Sequence, residues 1–277
     1  MTYRNILVFV DQSGASRLRV KAAVDIARRF GASLTGAFLR AEQIPAFIAG
    51  DAFSATTAVD VFMEERNKVI KESIAVARPV FETAARDAGI PFEWIDINGD
   101  DDRALTACAR RHDLTILPPT MYTAGGLQPL NAGSVAMGAG GPVLIVPELG
   151  YLPTFGSKIM VAWKESRESA RVLHDAMPFI AKASEVTFLT VGRDAEPAFD
   201  EMQRRNLMAH DCRNAQIVVD NNDDRDTGDA IRLNAGMVGA DMLVLGLYGH
   251  SRLQELLLGG VSRNLLGDVT LPILVSH

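Results

Sequence analysis

Asp241-Met242-Leu243-Val244-Leu245-Gly246-Leu247-Tyr248-Gly249-His250 is the stretch on which the reading of this chain turns. Its first residues are a short, continuous apolar run with no polar alternation, the pattern of a strand buried on both faces of a parallel sheet. Glycines follow at a fixed spacing: Gly246, two residues, Gly249, nine residues, Gly259, then Gly260-Val261-Ser262. A glycine-spaced loop between a buried strand and a helix start suits phosphate. Without a Cβ the backbone N–H groups approach oxygen closely, and the helix terminus adds partial positive charge.

This strand has a counterpart at Asp113-Leu114-Thr115-Ile116-Leu117, and the closing run Pro272-Ile273-Leu274-Val275-Ser276 has one at Pro142-Val143-Leu144-Ile145-Val146. The beginnings match as well. Asn5 to Val10, a helical pattern from Ser16 to Phe30 and Ser33 to Leu39 read as strand, helix, strand, and Lys158 to Trp163, Arg167 to Lys182 and Glu185 to Val191 repeat them. Each half therefore reads as β-α-β-α-β-α-β-α-β, an α/β fold of two tandem Rossmann-like domains, each a five-stranded parallel sheet with helices on both faces. The predicted domains are 1–148 and 154–277, joined through the Pro/Gly segment Pro147 to Pro153.

Ile6 and Ile159 lie 153 residues apart, whereas Pro142 and Pro272 lie 130 apart, so the first half carries 23 extra residues. Their expected place is a surface excursion over Ala41 to Phe62, ahead of a helix beginning near Glu64. That helix puts Val69, Ile70, Ile74, Ala77, Phe81, Ala84 and Ala88 on one face, is expected to kink at Pro79 and ends at Gly89. Asp100 to Asp102 and Asp223-Asp224 are placed to cap the helices that follow them.

The Gly-x2-Gly-x9-Gly spacing closely resembles the ATP-binding signature of the universal stress protein family, and strand order and the apolar-Pro-apolar closing strand extend the resemblance over the chain twice. In ATP-binding members an Asp closing the first strand contacts the adenosine part, and the glycine loop holds the phosphates. Carried onto this sequence, the resemblance implies nucleotide-binding residues Gly246, Gly249, Gly259, Gly260, Val261 and Ser262 in the loop, Ala162 and Lys164 at the end of the second half's first strand, and Asp11 in the first half. The implied ligand is ATP, with or without Mg²⁺, bound as a regulator with at most slow hydrolysis. It further implies antiparallel pairing of Val143 to Val146 with Ile273 to Ser276, an intramolecular pseudo-dimer; association of two chains into a homodimer is left open.

The sequence departs from the signature differently in each half. In the second, Gly260 replaces the usual Ser or Thr and Lys164 stands where Asp11 stands in the first. Lys164 can meet a phosphate, and Gly260 still offers its backbone N–H. In the first half Asp11 is kept, but Pro118-Pro119-Thr120-Met121 occupies the place of the paired glycines, and only Gly133-Ser134-Val135 resembles the loop's end. Proline removes N–H donors, so the second half is the better phosphate site.

Other chemistries fit less well. Gly249-His250-Ser251-Arg252-Leu253 approaches the nucleophile elbow G-x-S-x-G, with Asp268 and His277 following in hydrolase order, but Leu253 breaks the motif and one strand is too little scaffold for an acid and a base. Ser13-Gly14-Ala15-Ser16 lacks the second Gly and the Asp of an adenylating S-G-G-x-D-S loop, and neither a P-loop nor an H-E-x-x-H helix occurs. A third reading is an interaction module whose sites have both decayed.

Composition bounds these options. The 277 residues are 48% hydrophobic and 22% charged with a net charge of −6, which argues for a globular protein and against nucleic acid as a partner. Cys108 and Cys212 have no metal-ligand spacing and read as reduced structural residues. Ile6 to Val10 is too short for a signal-peptide core and no run approaches a membrane span, so the expected compartment is the cytoplasm.

Overall fold

A computed structural model of the chain describes residues 2–41, 55–99, 102–126, 129–148, 154–192, 205, 207–210, 212, 214–221, 226–247 and 271–277, with the backbone alone at 55–58. The first half contains β1 (Asn5–Phe9), α1 (Gly14–Phe30), β2 (Ser33–Arg40), α2 (Ala55–Asp87), β3 (Phe92–Asn98), α3 (Asp102–Ala109), β4 (Leu114–Leu117), β5 (Thr120–Tyr122), β6 (Pro129–Asn131), α4 (Ala132–Ala139) and β7 (Val143–Ile145). The second contains β8 (Lys158–Ala162), α5 (Arg167–Ile180), β9 (Glu185–Val191), β10 (Ala215–Asp220), α6 (Thr227–Val238), β11 (Met242–Gly246) and β12 (Ile273–Ser276).

The fold is the expected doubly wound α/β arrangement. Strands run β3-β2-β1-β4-β7 in the first half and β10-β9-β8-β11-β12 in the second, each set parallel, with the order reversing beside its first strand. The two sets form one ten-stranded sheet because β7 and β12 pair antiparallel, Val143 opposite Val275 and Ile145 opposite Ile273. β1, β4 and β11 are buried along their lengths apart from half-buried Asn5, which is why their sequences show no alternation.

Equivalent residues do equivalent work in the two halves. Asp113 accepts the backbone N–H groups of Arg4 and Asn5, and Asp241, the same position before β11, accepts those of Gly156, Ser157 and Lys158. Each aspartate thus clamps the entry of the central strand to its neighbour. Ser13 and Ser166 cap α1 and α5, accepting from the N–H three residues on at 3.2 Å in both cases.

The halves also meet below the sheet. Tyr3, Phe30 and Phe179 form a ring cluster with centroids 5.1–5.6 Å apart, and the Tyr3 hydroxyl donates to the Asp175 carbonyl at 2.6 Å. Burial pushes that phenol well above its ordinary pKa, with the nearby Asp175 and Asp113 acting in the same direction. Arg29 and Lys182, which are 153 residues apart and so correspond, exchange contacts: Arg29 donates to the Lys182 carbonyl and Lys182 to the Arg29 carbonyl.

Three expectations are corrected. α2 starts at Ala55, not near Glu64, so the last residues of the anticipated excursion are helical; no Gly or Pro interrupts 55–78, and nothing there breaks the helix. The excursion's residues 42–54 lie outside the described ones. Val69 is 43% exposed, whereas Ala85 is fully buried, because the face in contact with the sheet runs Ile70, Ala77, Phe81, Ala85 and Val69 sits one position off it. The cap of α6 is Asp226, whose side chain accepts from the Gly228 N–H at 2.8 Å; Asp223-Asp224 and Asp100-Asp101 lie outside the described residues. α2 continues through Pro79 and ends before Gly89, whose φ is +67°.

Candidate functional site

In an open α/β sheet, ligands bind beyond the carboxyl ends of the strands where the strand order reverses, here between β1 and β4 and again between β8 and β11. These two crevices hold the described site residues.

In the first crevice Asp11 follows β1, as expected, but its carboxylate is engaged. Oδ2 takes the Arg19 guanidinium at 2.8 Å and Oδ1 accepts the Ser13 N–H, while Arg19 Nε donates to the Phe9 carbonyl at 2.7 Å. Arg19 is 1% exposed and lies over the Phe9 ring. Burial lowers its pKa and the Asp11 charge opposes that shift. Arg19 is not among the residues expected from the sequence to form a site; its only signal there is a cation at a position where helix periodicity calls for an apolar residue.

The chain leaving β4 then crosses this crevice. Pro118-Pro119 leads into β5 and β6, an antiparallel pair with Met121 and Leu130 buried, and Ala124 is hydrogen-bonded between Leu39 and Ala41 at the carboxyl end of β2. Since β1 lies between β4 and β2, the segment passes the carboxyl end of β1. The turn Thr123–Gly126 closes through the Gly126 N–H to the Thr123 carbonyl, with Gly125 at φ +74°, a conformation that favours glycine. Gly133-Ser134-Val135 does open a helix, α4, but Asn131 caps it by accepting the Gly133 N–H at 2.7 Å.

The second crevice differs at the end of its first strand and in the helix that follows. Ala162 ends β8, and Lys164 holds the place of Asp11: its backbone N–H meets Ser169 Oγ at 3.2 Å, as the Asp11 N–H meets Ser16 Oγ at 3.2 Å. The equivalent of Arg19 is Val172, fully buried. Glu168, in the first turn of α5, is held below its usual pKa by its own backbone N–H, by Arg167 and by Ser166. The amino end of α5 therefore already has its anion.

Gly246 ends β11, and its missing side chain has a definite packing role. A Cβ there would stand 2.8–2.9 Å from the backbone of Glu168 and Ser169, so the residue lets β11 and the start of α5 approach. The other predicted loop residues, Gly249, Gly259, Gly260, Val261 and Ser262, lie outside the described residues, as do Ser251, Asp268 and His250. The Nδ1 of His277 faces the Leu247 carbonyl at 2.9 Å. Among the described residues no three His, Cys, Asp or Glu gather as a metal site, and no helix is long and apolar enough to cross a membrane. Both cysteines are free, and burial raises both thiols above their ordinary pKa.

Residues 157–277 match the universal stress protein family. The second half is a universal stress protein domain. Over its whole length the chain is also similar in fold to universal stress proteins of known structure. One from Archaeoglobus fulgidus DSM 4304 aligns over 99% of this chain and 96% of its own, with 15% identity and a TM-score of 0.67. A putative one from Pseudomonas aeruginosa UCBPP-PA14 aligns over 99% and 93%, with 15% identity and a TM-score of 0.53. No curated protein matches the chain.

Proposed function

We propose that this is a cytoplasmic stress-response protein made of two universal stress protein domains, 1–148 and 154–277, that binds ATP or a related adenine nucleotide in the second as a regulatory ligand. The observation that carries this reading is the contrast between the crevices. In the first, a buried arginine takes Asp11, a hairpin passes the end of β1 and Asn131 caps the helix that would face a phosphate. In the second, the strand ends converge on Lys164 and Gly246, and the Gly-x2-Gly-x9-Gly spacing follows directly. Efficient catalysis is not part of the proposal: the sequence has neither a P-loop nor an H-E-x-x-H helix, and Leu253 breaks the nucleophile-elbow motif.

Calorimetric titration of ATP into nucleotide-stripped protein tests it. Binding near one nucleotide per chain, lost in Gly249→Val, is the expected result, because the valine side chain keeps backbone from phosphate. Absence of binding by the wild type would leave an interaction module with two decayed sites as the better account.

A further inference from the structure

We propose that His112, Thr35 and Glu93 form a clasp held by one proton, with His112 as an imidazolium, that fastens the end of α3 to β2 and β3 and opens as the pH rises. It stands toward the amino ends of these strands, away from the first crevice, and uses none of the residues placed there. His112 Nδ1 faces the Cys108 carbonyl at 2.9 Å, and its Nε2 faces Thr35 Oγ1 at 3.1 Å. Thr35 Oγ1 in turn meets Glu93 Oε1 at 3.0 Å.

Counting hydrogens fixes the protonation. A carbonyl only accepts, so Nδ1 carries a hydrogen. The string Nε2, Oγ1, Oε1 then has two contacts, and each needs one hydrogen. The hydroxyl supplies one; a neutral ring already protonated on Nδ1 and an ionised carboxylate supply none. The second hydrogen is therefore on Nε2 or on Glu93. A carboxyl group gives up its proton more readily than an imidazolium, and Glu93 is exposed to water, so the proton belongs on Nε2. Once it leaves, two acceptors face each other across one contact and the clasp parts, which costs most at Thr35, 2% exposed.

The repeat supplies an internal comparison. Leu7 pairs with Thr35, and its equivalent Met160 pairs with Thr187, so the threonine is kept. Gln216 stands beside Thr187 where Glu93 stands beside Thr35, and Ala240 precedes Asp241 where His112 precedes Asp113. Both titratable members are replaced together in the second half, as members of one unit would be. The other charges around the ring do not supply the hydrogen. Asp113 is spent on the Arg4 and Asn5 N–H groups, and Arg110 turns to the Gly138 carbonyl. The Cys108 thiol is raised by burial, lowered by Arg111 and raised by Glu93, which places both charges near this turn of α3.

NMR of the ring nitrogens in full-length protein labelled with 15N-histidine tests the clasp, with exposed His174 as the reference and Glu93→Gln alongside. At about pH 7.5, where an ordinary imidazole is neutral, we expect His112 of the wild type to carry hydrogen on both nitrogens. In Glu93→Gln the amide donates to Thr35, whose hydroxyl then donates to Nε2, so His112 should be neutral with hydrogen on Nδ1 alone. Amide exchange reads the opening: protection of Arg110, Arg111 and His112, whose N–H groups close the last turn of α3, should fall about tenfold as the wild type loses the proton and stay level in Glu93→Gln. A singly protonated His112 in the wild type at that pH, a doubly protonated one in Glu93→Gln, or protection in the wild type that ignores the loss of the proton would each overturn the proposal.

Discussion

Arg19 spends its charge on the structure. A guanidinium removed from water costs several kcal/mol unless well partnered, and here its partners are a carbonyl and the carboxylate of Asp11. Replacing Arg19 with Met leaves Asp11 facing an apolar wall, and we expect a loss of about 3 kcal/mol in a denaturant titration. Adding Asp11→Leu should recover most of it, since an apolar pair of similar volume is often as stable as the ion pair. A single variant as stable as the wild type would show that the pair contributes nothing. The same pair explains why Asp11 was the easiest residue to place from the sequence and the hardest to interpret: its position follows from the strand, its engagement from a helix residue eight places on.

At the scale of elements, packing decides what glycine and apolar runs leave open. Gly246→Ala should cost about 1–3 kcal/mol by forcing β11 from the start of α5, seen as a lowered denaturation midpoint without ligand. A neutral result would free Gly246 from its packing role and favour a role confined to ligand. The strands, the repeat and the closing pairs were legible because continuous Val, Ile and Leu runs are unambiguous when strands are buried on both faces. The start of α2 was not, because Ala55 to Phe62 has neither a clear cap nor a breaker, and an Ala/Thr-rich stretch fits a helix or a loop equally well. The β5–β6 hairpin was also hidden. Two prolines announce a turn, but three-residue strands flanking a glycine pair carry too little alternation to be read, and what fixes them is the long-range contact of Ala124 with β2.

At the scale of the molecule, the β7–β12 pairing, the Tyr3-Phe30-Phe179 cluster and the reciprocal Arg29 and Lys182 contacts tie the two halves together. Wild-type protein should therefore unfold in one cooperative calorimetric transition. Phe179→Ala, which empties a fully buried ring site at about 3–5 kcal/mol, should lower the midpoint and separate the halves into two transitions. Two resolved transitions in the wild type would mean that these contacts do not couple the halves.

One molecule carries two copies of a fold, and on the proposal made above the second is the one that takes nucleotide. Photo-crosslinking with 8-azido-ATP, followed by peptide mapping in a mass spectrometer, tests it most directly. Competable label confined to 157–277 is the predicted result; competable label in 1–148 near Asp11 would contradict it.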